Sequence, residues 1–268
     1  LLENTFIHIP GIGSPIEKLL WSRGCLTWQD ALDGINEFSF GSAATDTVKE
    51  HLHMSQEYLA EGHHQYFARA LGLKEAWRAW PHFKPKCTYL DIETDGGKSG
   101  NAITIVGCYD GLNFDAFVKG QNLESFRDYI SKYSMVVTFF GSQFDIPMVL
   151  RRFNGLVIDH IHLDLCPTLR AVGVQGGLKK IEKTMGIARG DDTDGLTGYD
   201  AIKLWRRYQN FRDERALKTL VAYNREDVVN LETLAEIAYN MHKSETFDKT
   251  FSTDVSPEDT IEKELETE

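Results

Sequence analysis

The spacing of hydrophobic positions changes near residue 87. From Leu1 to about Pro85, leucines and aromatic residues recur at helical intervals, as in YFARALGLK, and predict a small helical region after a short lead-in. WPHFKPK, with two prolines around aromatic residues, reads as a linker. From Cys87 onward, five short runs rich in β-branched and aromatic residues, CTYLDI, AITIVGCYD, NFDAFV, MVVTFF and IHLDL, each predict a strand. LESFRDYISKY, FDIPMVLRRF, LKKIEKTMG, YDAIKLWRRYQ and the long ERALKTLVAYNREDVVNLETLAEIAYNM carry the helical period. Three strands in a row, then strands alternating with helices, then helices alone, imply an α/β fold with a mixed sheet covered by helices. The expected organisation is a helical N-terminal region over 1–85, an α/β domain over 86–242 and a polar, acidic, disordered tail over 243–268.

Composition narrows the class. The chain has 268 residues and a net charge of −11. Residues 241–268 hold 3 Lys and 9 acids, so the preceding 240 residues carry only −5, a mild charge compatible with a polyphosphate partner. No apolar run approaches the roughly 18 residues of a membrane span. The opening LLENTFIHIPGIGS lacks a basic start before an apolar core, so no signal peptide is expected. The four cysteines are far apart with no C-x-x-C spacing, which argues against a zinc knuckle and for reduced thiols in a cytoplasmic setting.

The chemistry-bearing segment is YLDIETDGG. On a strand, Asp91 and Glu93 share one face, and two adjacent carboxylates on an apolar strand are costly unless a cation neutralises them. Oxygen ligands of this kind suit Mg²⁺ or Mn²⁺ rather than zinc; the alternative is an edge strand whose acids face water. FFGSQFDIPMV places Asp145 at the start of a helix, as a cap or as a ligand. AYNREDVVNL sets Tyr223 and Asp227 four residues apart on one helix face, a spacing also common in surface pairs.

Taken together, Asp91-x-Glu93, Phe144-Asp145 and Tyr223-x-x-x-Asp227 resemble the three motifs of the DEDD 3′–5′ exonucleases, in their tyrosine-containing DEDDy subclass. From Tyr89 to about Leu231 the chain is similar to the ribonuclease H-like domain of predicted prokaryotic exonucleases, with further matches at ITIVGCYDG, at the LDL around Asp164 and at GGLKKIE. The resemblance implies a ribonuclease H-like mixed five-stranded sheet flanked by helices. It also implies a pair of Mg²⁺ or Mn²⁺ ions held by Asp91, Glu93, Asp145 and Asp227, with Asp91 bridging. Tyr223 would then orient the attacking water, and nucleotides would leave the 3′ end of single-stranded DNA or RNA. A metal pair about 3.5–4 Å apart can activate water and relieve the departing oxygen. The family's second motif usually carries Asn five positions before its Asp. Phe140 stands there in this chain, either stacking on a base or sugar or filling the core. A catalytically silent nucleic-acid-binding module of the same fold is the second reading; retention of all four acids and the tyrosine speaks against it. A nuclease cutting internally is disfavoured by the Tyr223/Asp227 pair.

Other segments carry weaker signals. IPGIGSPIEKLLWSRGCLTWQDAL resembles a helix-hairpin-helix element, in which Gly11 and Gly13 would present N–H groups to a phosphate; a packing turn fits equally. Arg151-Arg152, Lys179-Lys180 with Lys183, and Arg206-Arg207 with Arg212 would line a strand-binding groove or simply face solvent. Lys179 and Lys180, following Gly176-Gly177, suit phosphate best. Trp205 and Tyr208 fall at core spacing. The paired histidines, His160 and His162 among them, read as a solvated face, and Asp164 as a hydrogen-bonded structural acid near the site.

Overall fold

All five expected strands form one sheet in the computed structural model, which describes residues 1–97, 99, 102–190 and 195–252. They are β1 (Cys87–Thr94), β2 (Ile103–Tyr109), β3 (Phe114–Val118), β4 (Met135–Thr138) and β5 (Ile161–Asp164). Their order is β3-β2-β1-β4-β5. The first three strands pair antiparallel, whereas β1–β4 and β4–β5 are parallel. This is the mixed sheet expected from the strand pattern.

Eleven helices are present among the described residues: α1 (Ser14–Ser22), α2 (Trp28–Asp33), α3 (Thr45–Glu61), α4 (His64–Glu75), α5 (Trp80–Phe83), α6 (Phe126–Ile130), α7 (Asp145–Arg152), α8 (Leu165–Ala171), α9 (Leu178–Thr184), α10 (Gly198–Phe211) and α11 (Glu214–Thr246). The chain divides into two units, Leu1–His82 with the chain from Tyr239, and Phe83–Ala238. The WPHFKPK segment, expected to be a linker, contains the boundary between the two units and is itself folded. It forms α5 and a 3₁₀ turn, because a proline near the start of a helical turn gives up no needed hydrogen bond. Helix α8 was not foreseen; seven residues with Pro167 inside are too few to show a period.

In the first unit, Phe6, Trp21, Trp28 and Phe67 are fully buried, and the rings of Trp28 and Phe67 stack. Arg78, itself buried, meets Glu17 at 2.9 Å, while Glu17 also accepts the amides of Phe6 and Ile7. Of the stretch expected to be a disordered tail, Phe247 sets its ring edge-on against Trp21 at 5.0 Å and 248–251 form a 3₁₀ turn. Residues 253–268 lie outside the described residues.

In the second unit the sheet is covered on both faces. Leu90, Ile92, Val106 and Phe117 pack with Phe126 and Ile130 of α6 and Met148 and Val149 of α7. On the other face, Ile105 and Val118 meet Ala201, Trp205 and Tyr208 of α10 and Leu217, Leu220 and Tyr223 of α11. Trp205 and Tyr208 are therefore core residues.

The loop after β4 is held by one acid. Asp164, 1% exposed, accepts hydrogen bonds from the amide of Phe140 at 2.7 Å and from the amide and hydroxyl of Ser142 at 3.0 and 2.6 Å. It also caps α8 through the Cys166 amide. Phe140 takes a left-handed conformation, φ 65°, which is strained for an aromatic residue. Gly141 follows because a Cβ there would lie 2.3 Å from Thr138 Oγ1. His160 and His162 are not on a solvated face. His160, just before β5, is buried and donates to the Ile130 carbonyl, and His162, on β5, pairs with Thr138 Oγ1. Asp164→Ala should therefore cost about 3 kcal/mol, since donors to a buried carboxylate lose their acceptor. Urea denaturation measures this, and a loss below about 1 kcal/mol would show that the loop is held otherwise.

Candidate metal centre

Asp91 and Glu93 project from one face of β1, as period two requires, and Asp227 reaches them from α11. One oxygen from each lies within 4.8 Å of the others. Asp91 is partly exposed, whereas Glu93 and Asp227 are buried. This cluster contains three of the four expected ligands. Asp145 stands beside it at the first position of α7. Strand β4 pairs with β1 only as far as Tyr89, and beyond it the Ile92 amide donates to Asp145 Oδ1 at 3.0 Å. The acid thus takes up a strand N–H that has no neighbouring strand to bond.

Supporting groups surround the acids. Gly107 lies opposite Asp91 in the β1–β2 register, and a Cβ there would fall 1.7 Å from Asn224 Oδ1. Asn224, fully buried, fills that gap and donates to Asp91 Oδ2 at 2.9 Å. Arg189 Nη2 lies 2.6 Å from Asp227 Oδ1. Lys179 sits over the Tyr223 ring with Nζ 4.5 Å from its centroid and donates to the Leu196 carbonyl. Sequence reading missed Asn224, Arg189 and Glu182, which pairs with Arg189 at 2.7 Å, as contributors. Asn224 had a legible signal, three residues before Asp227 on the same helix face; Arg189 had none.

The electrostatics follow from burial and crowding. Burial, then the charges of Asp145, Asp227 and Glu93, holds the Asp91 carboxyl well above the usual range. Burial, then Asp227 and Asp145, does the same for Glu93. Burial raises Asp145 to about 7 against the pull of the Ile92 amide. Burial also raises Asp227, although Arg189 opposes it. Tyr223 is pushed up by burial and by the charges of Asp227, Glu93 and Asp91, so its phenol stays protonated. At neutral pH such a set takes up protons or a cation. All its donors are hard carboxylate oxygens, and they fit a divalent Mg²⁺- or Mn²⁺-type ion.

The other expected site residues are placed as follows. Phe140 is 50% exposed and so does not fill the core. Lys180 is exposed on α9, with its stem against Gly176. Gly11 and Gly13 belong to the first unit. Gly11 has φ 88° and packs on Ala43, while Gly13 caps α1 with extended backbone. Only a 3₁₀ turn, Leu2–Asn4, precedes them as regular structure.

With this geometry in place, the RNase H superfamily model matches residues 88–239. The chain belongs to the RNase H superfamily. No curated protein matches it. Among solved structures, this RNase H superfamily chain is similar to the family B DNA polymerase from the hyperthermophilic archaeon Pyrobaculum calidifontis. That match has 16% identity and a TM-score of 0.46 over 56% of this chain and 24% of the polymerase. The chain therefore matches about a quarter of the polymerase's length. No helix among the described residues of this superfamily member is long and apolar enough to cross a membrane.

The raised carboxyls set a pH dependence. Their folded pKa values exceed the unfolded values of about 4, so their contribution to stability is full below pH of about 4 and is lost as pH rises towards 7, the value to which Asp145 is raised. Metal competes with protons for the same oxygens. In EDTA, Tm should fall between pH 5 and pH 8, and Mn²⁺ should raise it more at pH 8 than at pH 5. Scanning calorimetry at the two pH values tests this; a Tm indifferent to pH and to Mn²⁺ would mean that the acids do not act as one site.

Proposed function

We propose that this domain is a metal-dependent 3′–5′ exonuclease of the DEDDy type, acting in the cytoplasm on single-stranded DNA or RNA. The observation that carries this reading is the convergence of Asp91, Glu93 and Asp227 within 4.8 Å, with Asp145 bonded to β1 beside them and Tyr223 one helical turn before Asp227. Asp91, Glu93, Asp145 and Asp227 would hold the ions, two by resemblance. When bound, such ions supply Lewis acidity at the phosphodiester and relieve charge on the departing 3′ oxygen.

The remaining roles fall to the chain's own groups. Tyr223, kept protonated, serves as a hydrogen-bond donor that orients the attacking water rather than as a base. Asn224 fixes the carboxylate of Asp91 by donating to one oxygen. Lys179 and Lys180 bring positive charge towards a phosphate backbone. Phe140, exposed and pinned by its amide, offers a stacking surface for a base or sugar where the family usually carries Asn. Gly11 and Gly13 are assigned a phosphate contact in the N-terminal region, 1–85, with 86–242 as the nuclease domain and 243–268 as a tail. The four described cysteines are buried and unpaired, which suits a cytoplasmic setting.

Single strands of DNA and RNA, labelled at either end and incubated with Mn²⁺ or EDTA, test the reading. Product ladders should shorten from the 3′ end with Mn²⁺ only. Asp91→Asn should lower the rate at least about 10³-fold with folding retained, and Tyr223→Phe should slow it by about 10²-fold with metal affinity kept. Binding without hydrolysis would make the domain a silent nucleic-acid-binding module. An unchanged rate in Asp91→Asn would remove the site assignment.

A further inference from the structure

Arg189 follows α9 in the chain and meets three oxygens of two acids through one guanidinium. Its Nε and Nη2 meet the two oxygens of Glu182 at 2.7 and 2.8 Å, a two-pronged pairing of fixed geometry. The same Nη2 lies 2.6 Å from Asp227 Oδ1. Glu182 is 1% exposed and also accepts Asn230 Nδ2 at 2.9 Å; Asn230 follows Asp227 by one turn of α11. The next residue, Gly190, donates its amide to Glu226 on α11 at 2.8 Å. The side chain of Arg189 is 7% exposed. Arg189 is therefore fastened to α9 and α11 on both sides of Asp227.

We propose that the Glu182–Arg189 pair is a positioning device for Asp227, holding Oδ1 against the guanidinium so that the carboxylate presents its other oxygen to a divalent cation. The inference rests on the reading of the acid cluster as a metal site. Two other roles are possible for such a contact, and the geometry speaks against both. A cation that merely substitutes for the metal would need to leave when the metal arrives. Leaving would strand Glu182 buried without its partner, a costly state. A pure cross-link would need no contact with Asp227, since Asn230–Glu182 already joins α9 to α11 and Gly190–Glu226 ties the segment after α9 to α11. Hydrogen-bonded groups behind metal ligands orient the ligand and typically change metal affinity 10- to 100-fold when lost.

The test measures Mn²⁺ binding to the metal-free protein without nucleic acid, by the electron paramagnetic resonance signal of free Mn²⁺. Three proteins are compared: the wild type, Arg189→Lys, and the double variant Glu182→Leu with Arg189→Met. The double variant removes both buried charges together, which commonly preserves stability; its urea midpoint in EDTA should stay near that of the wild type. Its Mn²⁺ affinity should fall by about 10- to 100-fold. Arg189→Lys keeps the charge but loses the fork and should weaken binding in the same direction. Unchanged or tighter Mn²⁺ binding in the double variant overturns the proposal. Should the double variant not fold, Arg189→Lys decides alone, and wild-type affinity in it overturns the proposal too. Failure of the wild type to bind Mn²⁺ overturns the metal-site reading itself, and this inference with it.

Discussion

Carboxylates held within a few ångströms of one another repel, and the repulsion grows as water is removed. Asp91, Glu93 and Asp227 are in that position, and Asp145 adds a fourth charge beside them. Left to relax, side chains of this kind would splay towards solvent. Here each is restrained by a rigid element and, for three of the four, by a polar partner: the Asn224 amide for Asp91, the Ile92 amide for Asp145 and an ion pair with Arg189 for Asp227. These partners stabilise the charged forms without neutralising the set. A site so built keeps a standing demand for positive charge, and this demand distinguishes a cation site from a patch of surface acids.

The sheet explains why β1 carries the acids. It is the central strand, antiparallel to β2 and parallel to β4, so it is the point where the direction of pairing switches. Because β4 ends early, the second half of β1 has one edge open, and the loop that follows β4 turns back to close it with Asp145. Ligand sites in open α/β sheets form at such positions, beyond the carboxyl ends of the parallel strands. Gly107 belongs to the same design, since any side chain there would expel Asn224 and with it the hydrogen bond that orients Asp91.

The expected elements were legible because their periods differ. Alternation over CTYLDI placed Asp91 and Glu93 on one strand face, and the four-residue interval placed Tyr223 and Asp227 on one turn of a helix. The convergence of these faces rested on resemblance, because period says nothing about which elements meet. Asn224 touches Asp91 across 133 residues, and no local pattern marks Gly107 as the gap that admits it. Arg189 sits after a helix in polar sequence and reads as one more surface cation; only the fold shows that it is 7% exposed and wedged between two acids. His160 and His162 differ from the sequence expectation for a related reason: polarity alone does not set exposure, and the bonds to the Ile130 carbonyl and to Thr138 hold both rings inward.

Phe140 shows how backbone strain is held on the loop beside the acids. A left-handed backbone at an aromatic residue costs on the order of 1–3 kcal/mol and persists because Asp164 over-determines the loop with bonds to residues 140 and 142. Had the ring served the core, a relaxed backbone pointing it inward would be more stable, and the strain would have no return. The ring instead stands half in solvent on the loop that ends at Asp145. The acids occupy strand and helix positions where displacement is small, while Phe140 lies on the loop that leads to Asp145. On the proposed reading, a change of ligand would be accommodated at the loop without loosening the carboxylates on which the chemistry would depend.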